Sequence, residues 1–438
     1  MSVKTALKSR VIQSLLSDWS LGMRRGLSDF RRAVDRRDHE ILYFHRADDP
    51  YCQLMVQVIP ELLERFDVRI KPRVVERLPA KMYPDPARYE AYSILDATRI
   101  ARQYGLGFPR SAKVPDPLSV GMINRHLVNL EDSADFFASA EELGAALWRR
   151  NLGAIQDQCR VAQVEEDRLR ENERTLVRLG HYASGTLYYE GEFYPGIDRL
   201  DHLERRLNDL GAGDGGTQYE LGKLWGEELH HEPFRAVGQN VDLYFSVRSP
   251  FSYMALEQAA ALHKLTGVQL RLRPVLPMVN RGLAVPEAKK RYILTDVKRE
   301  CGLYGLPFGR IHDPLGQGVS NCLAIGDGLA GEDEELDFYR SAARAIWSEG
   351  LDVSDASVLE KICKRAGVDW RDARVYLGMD RWKKTVEGNR SDLAMLGGWG
   401  VPAFHTGRTV VFGQDRVWGV VQALREAAGD EIDRTANL

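Results

Sequence analysis

The sequence predicts an α/β protein in which one domain plan is written twice: strand, helix, strand, an all-helical insertion, then a hairpin and a closing helix. Three recurrences predict it. Tyr92, Asp96, Arg99 and the run Tyr104-Gly105-Leu106 return at a constant interval as Tyr292, Asp296, Arg299 and Tyr304-Gly305-Leu306. Ile41-Leu42-Tyr43-Phe44, followed by Asp49-Pro50-Tyr51-Cys52, returns as Asp242-Leu243-Tyr244-Phe245, followed by Ser249-Pro250-Phe251-Ser252. Asn172, Gly196, Asp198 and Arg199 return as Asn389, Gly413, Asp415 and Arg416. So long a period is foreign to a solenoid, and each copy is expected to be a whole domain.

The elements follow in order. Residues 1–37 place Val11, Leu15, Leu16 and Trp19 at helical spacing opposite Arg and Asp, which predicts a helical extension packed on the first domain. The first copy, 38–210, opens with a short apolar strand at Ile41 to Phe44. A helix follows Pro50 and a second strand begins near Val68. Residues 131–180 read as helical. Thr186 to Tyr189, a Glu190-Gly191 turn and Phe193-Tyr194 read as a hairpin, followed by a helix over about 198–210. The glycine-rich stretch Gly211 to Gly216 marks a linker, taken as 211–238. The second copy, 239–438, repeats the order. It has a strand from Val241 to Phe245, a helix after Pro250, alternation at Val268, Leu270 and Leu272, and a helix-rich stretch over 335–396. A hairpin through Thr406-Gly407-Arg408 and a last helix from Arg416 complete it. This is the order of a thioredoxin-type domain with an all-α insertion, here in two tandem thioredoxin-like copies.

Bulk composition narrows the function. The 438 residues carry 60 Lys and Arg against 63 Asp and Glu, a formal charge of −3, which gives no general drive toward nucleic acid or anionic membrane. No apolar run approaches the roughly 20 residues that span a bilayer, and the start lacks the apolar core of a secretory signal, so a soluble, cytoplasmic protein is expected. The five cysteines form no Cys-x-x-Cys pair, which argues against a disulfide framework and a cysteine-rich zinc site. The adjacent His230 and His231 point apart and lack a third ligand, so no metal is expected.

Chemistry concentrates in the second copy. Ser249 stands after a strand and before a proline-started helix, where backbone N–H groups and the helix dipole favour negative charge. On its own, Ser-Pro is also an ordinary helix cap. The surrounding residues carry more. They include Tyr244-Phe245 through Ser249-Pro250-Phe251-Ser252-Tyr253, Lys289, Tyr292, Asp296 and Arg299, and Gly305-Leu306-Pro307-Phe308. Trp347-Ser348-Glu349-Gly350, Asp352 to Asp355, Asn389, Gly400-Val401-Pro402 and Gly413-Gln414-Asp415-Arg416 complete the set. In this order the second copy resembles the 2-hydroxychromene-2-carboxylate isomerase and kappa-class glutathione transferase branch of the DsbA-like thioredoxin superfamily. The resemblance implies that Ser249 donates a hydrogen bond to the thiolate of bound glutathione. It implies that Val401, before a cis Pro402, pairs with the cysteinyl main chain. It sets Gln414 and Asp415 against the γ-glutamyl end and Asn280 and Arg281 against the glycine carboxylate; Asp415 also reads as a plain helix cap. The Asp296–Arg299 pair and Asn389 read as architectural.

The implied activity is a glutathione-dependent isomerase or transferase acting on a conjugated, small aromatic electrophile. The alternatives are a DsbA-like thiol–disulfide oxidoreductase and a non-catalytic thioredoxin-fold binding protein. The first copy reads as degenerate. Asp49 stands where Ser249 stands, and its charge would repel a thiolate. Ser184-Gly185 replaces Val401-Pro402, and Cys52, at the resolving position, reads as a buried structural thiol. Kappa-like enzymes are dimers, so the first copy is expected to stand in for a second subunit as an internal pseudo-dimer.

Overall fold

The structure is a computed structural model. It describes residues 13–429 apart from 15, 84, 160–164, 214, 283–284 and 330; of residues 80, 280, 281 and 332 only the backbone is described. The chain divides into two compact units. The N-terminal unit holds Met23–Gly222 and Pro286–Lys289. The C-terminal unit holds Lys223–Val285 and Lys290–Leu438 with the chain up to Gly22.

In the N-terminal unit four strands, β1 (His39–His45), β2 (Val68–Val74), β3 (Thr186–Tyr189) and β4 (Glu192–Pro195), form one sheet in the order β2-β1-β3-β4. β1 runs parallel to β2 and antiparallel to β3, which pairs antiparallel with β4. The β3–β4 turn puts both Glu190 and Gly191 at positive φ, as the tightest hairpin turn requires. Between β1 and β2 lies the Pro50–Arg65 helix, started by Pro50 and capped by Asp49. Ile41 and Tyr43 meet Leu54, Val58, Phe136 and Leu187 in its core.

In the C-terminal unit β5 (Asn240–Phe245), β6 (Gln269–Pro274), β7 (Ala403–Thr406) and β8 (Thr409–Phe412) form a sheet ordered β6-β5-β7-β8, with the same parallel and antiparallel pairings. Pro250–Thr266 is the crossover helix between β5 and β6. Helices from Gln317 to Met395 form the insertion between β6 and β7, and Val417–Ala428 closes the unit. Val241, Leu243 and Phe245 pack with Leu256, Phe338 and Phe404 in a core of its own.

Two expectations are revised. The N-terminal extension does form a helix, Asp18–Val34, yet it docks through its charged face. Arg25 makes a bidentate ion pair with Glu192 at 2.7 and 2.9 Å, Arg32 reaches Glu190 at 3.2 Å, and no residue of the helix is buried. Trp19 stays 74% exposed; Val11 and Leu15 lie outside the described residues. The glycine-rich stretch after 210 is pinned rather than loose. The Asp67 N–H donates to the Ala212 carbonyl at 2.8 Å, and Gly213 lies so close to the Phe66 ring that a Cβ would come within 2.2 Å of it. Beyond it Tyr219 is buried in the N-terminal core, while Trp225, Leu229 and Phe234 belong to the C-terminal core.

Candidate functional site

β5 and β7 are antiparallel neighbours, with Tyr244 opposite Ala403. The chain leaving β5 toward Ser249 and the chain entering β7 at Pro402 therefore meet at one end of the sheet. The Pro250–Thr266 helix packs against the turn Gln414–Arg416, and the Gly413 N–H donates to the Pro402 carbonyl at 2.8 Å. Topology alone thus gathers Ser249, Val401, Pro402, Gln414 and Asp415. Asn280 and Arg281 lie in the turn Met278–Arg281 after β6, and their side chains are outside the described residues.

Ser249 is the N-cap. Its extended backbone lets Oγ accept from the Ser252 N–H at 3.2 Å, which satisfies one of the helix's orphan donors. A hydroxyl also donates, and the Ser249 O–H has no acceptor among the described residues. Ser249 is half-buried, so a ligand can reach it. The Val401–Pro402 bond is cis; Pro402 is buried and Val401 half-buried. Gln414 is buried. Its Nε2 donates to the Asp415 carboxylate at 2.7 Å, while its Oε1 has no partner among the described residues. Beside Ser249, Arg248 makes a bidentate pair with Asp313 at 2.6 and 2.7 Å, tying the 307–316 loop to the strand end. Sequence reasoning missed this clamp, because its halves lie 65 residues apart and neither has a local signature. It also left Phe308 and Trp347 without a role; their rings stack at 6.2 Å.

Every cysteine of this unit is buried. Desolvation pushes the thiols of Cys301 and Cys322 up to about 12 and that of Cys363 up to about 11. Asp296 and Arg299 form an ion pair at 2.6 Å, and Asn389 donates to the Pro274 carbonyl at 2.9 Å, which secures the end of β6. A cavity of about 180 Å³ lies elsewhere in the unit, lined by Leu272, Leu323, Asp327 and Trp382 among others; none of the residues gathered around Ser249 lines it. Among the described residues no group of His, Cys, Asp and Glu could hold a metal, and no helix is long and apolar enough to cross a membrane.

The corresponding strand end of the N-terminal unit is closed. Asp49 accepts from the Tyr51 N–H at 3.0 Å and from the Ser184 hydroxyl at 2.5 Å, and burial raises its carboxyl above the ordinary value. Gly185, at φ +63°, donates its N–H to the Phe44 carbonyl at 2.8 Å, a bond that proline cannot make. Cys52 Sγ accepts from the Arg46 N–H at 3.3 Å, and burial holds its thiol well above the usual range. Lys289 Nζ, in the segment that belongs to this unit, donates to the Met82 carbonyl at 2.7 Å. It sits 5.9 and 5.6 Å from the Tyr83 and Tyr182 ring centres, and burial lowers it to about 8.

Residues 240–425 match the family described as DSBA-like thioredoxin domain. The chain is 26% identical to a 2-hydroxychromene-2-carboxylate isomerase of Sphingobium xenophagum, over 41% of its length and 94% of that protein. It is 24% identical to glutathione S-transferase kappa 1 of Rattus norvegicus, over 45% of this chain and 96% of that protein. A solved 2-hydroxychromene-2-carboxylate isomerase structure aligns at 22% identity with a TM-score of 0.38, covering 43% of this chain and 98% of that one. The C-terminal half is thus a DsbA-like thioredoxin domain with isomerase and transferase relatives.

Proposed function

We propose that the C-terminal unit is a glutathione-dependent isomerase or transferase acting on a conjugated aromatic electrophile. One observation carries the reading. The helix N-terminus at the strand end presents a half-exposed serine with an unused O–H, while every cysteine of the unit is buried and protonated. The position favours a sulfur anion that the chain itself cannot supply. Glutathione would supply it, with the Ser249 O–H donating to the thiolate and the helix dipole adding to its stabilisation. The Val401 main chain would pair with the cysteinyl residue, Gln414 Oε1 and Asp415 would receive the γ-glutamyl ammonium, and Asn280 and Arg281 would take the glycine carboxylate.

The chemistry is a reversible conjugate addition. The sulfur forms a bond to the electrophilic carbon, and the π electrons move onto the conjugated carbonyl oxygen. The former double bond rotates as a single bond, and the electrons return to expel the thiolate, leaving the isomer. Protonation of the adduct and its release would make the same site a transferase. The buried cysteines stand against a thiol–disulfide oxidoreductase.

The N-terminal unit is, in this reading, a degenerate copy of the same domain. Matching strand order supports it, as do two pairs of matched bonds. Asn172 donates to the Val74 carbonyl as Asn389 does to that of Pro274, and the Arg46 N–H meets Cys52 Sγ as the Ser246 N–H meets Ser252 Oγ. It would serve as the second half of an internal pseudo-dimer. The deciding experiment is titration of the whole chain with glutathione, followed by calorimetry and by the ultraviolet band of the bound thiolate. Heat and a band lost in Ser249→Ala support the site; absence of both leaves a non-catalytic binding protein.

A further inference from the structure

The Asp18–Val34 helix turns its apolar face outward. Trp19, Met23, Leu27, Phe30 and Val34 are 74%, 58%, 50%, 66% and 62% exposed, and they recur every three or four residues along one stripe. The helix is held from behind by Arg25 and Arg32 on Glu192 and Glu190. At these exposures the five side chains offer roughly 500 Å² of apolar surface, as large as the biggest patch usual on a monomer.

We propose that this stripe is the interface between two copies of the chain, packed as an antiparallel helix pair. Its register is self-complementary. A two-fold axis through the Gly26–Leu27 peptide sets Trp19 against Val34, Met23 against Phe30 and Leu27 against Gly26 of the second copy. A large residue meets a smaller one at the first and last of these pairings. Gly22 and Gly26 border the stripe and are exposed, with nothing within 4 Å of a Cβ added to either, so a second backbone can approach closely there. Each glycine destabilises an exposed helix relative to alanine; a helix–helix contact makes use of that gap, whereas a lipid surface has no need of it. Two stripes bury about 1,000 Å² together, the floor for a specific interface, before flanking residues are counted. Isologous pairing of this kind is the commonest route to an oligomer.

Sedimentation of the full chain at micromolar concentration tests the proposal. A dimer is expected, with self-association weakened about 100-fold or more in the double variant Met23→Glu, Phe30→Glu. Leu118→Glu, at another exposed leucine, should leave the dimer intact. Gly26→Cys provides a second readout. Near the axis it should form a covalent dimer under mild oxidation much faster than Leu118→Cys does. A monomeric wild type, a dimer untouched by the double variant, or equal cross-linking at both positions would overturn the proposal. So would a monomer that floats with phosphatidylserine-containing vesicles through this helix.

Discussion

Ser249 and Asp49 each precede the proline that starts a crossover helix, and the difference between them is one of solvation. The serine is half-buried and keeps a proton to donate; the aspartate is sealed and takes two hydrogen bonds. Ser249→Ala should cost about 1 kcal/mol as a lost cap. In the proposed role as donor to the glutathione sulfur, its loss should also lower kcat about 10²- to 10³-fold. Steady-state kinetics beside a thermal melt separates the two effects. Asp49 makes the opposite expectation. Its carboxyl is raised by burial, so its contribution to stability is fully present below the unfolded carboxylate pKa and is lost as pH rises through the folded one. Asp49→Asn keeps an oxygen to accept from the Tyr51 N–H, turns toward Ser184 an amide N–H that donates to the hydroxyl oxygen instead of accepting from it, and removes the charge. It should raise the melting temperature of the N-terminal unit at pH 7 by about 2 °C, with the gain vanishing in acid.

Among the elements, the pinned segment after residue 210 gives the sharpest expectation. Gly213 reads from sequence as one more flexible linker glycine, whereas its place is dictated by the Phe66 ring and Asn208. Gly213→Ala should destabilise the N-terminal unit by about 1–3 kcal/mol, measurable as a lower urea midpoint. Much of the architecture was legible beforehand, because local chemistry suffices for it. The run Val241 to Phe245 marked β5, alternation marked β6, Ser-Pro and Asp-Pro marked both crossover helices, and Glu190-Gly191 marked a hairpin. The docking face of the Asp18–Val34 helix was not legible. Amphipathicity tells that two faces differ, and only the distant Glu190 and Glu192 decide which one is covered. The same limit hid the Arg248–Asp313 clamp. At the site, Ser249 could be read from its own neighbourhood. The gathering of Pro402, Gln414 and Asp415 near it could be read only through the resemblance, since sheet pairing brings them there.

At the scale of the whole molecule, two separate hydrophobic cores should melt as two transitions. Glutathione at a hundredfold excess over its Kd should stabilise the C-terminal transition by about 2.7 kcal/mol, some 5–10 °C for a unit of this size. Differential scanning calorimetry of wild type and Asp49→Asn should then move one transition with ligand and the other with the substitution. A ligand that moved both equally, or neither, would contradict the assignment of the site to the C-terminal unit.

The five thiols carry a practical meaning for anyone handling this protein. Four are enclosed, and the half-buried fifth, Cys159, is raised to about 11. At neutral pH maleimides and iodoacetamide would meet almost no protein thiolate, so on the proposed glutathione-dependent reading inactivation by such reagents would report on the added tripeptide rather than on the polypeptide. Air would likewise find little thiolate on the native chain to attack, and peroxide would act instead on the exposed thioethers of Met23, Met379 and Met395.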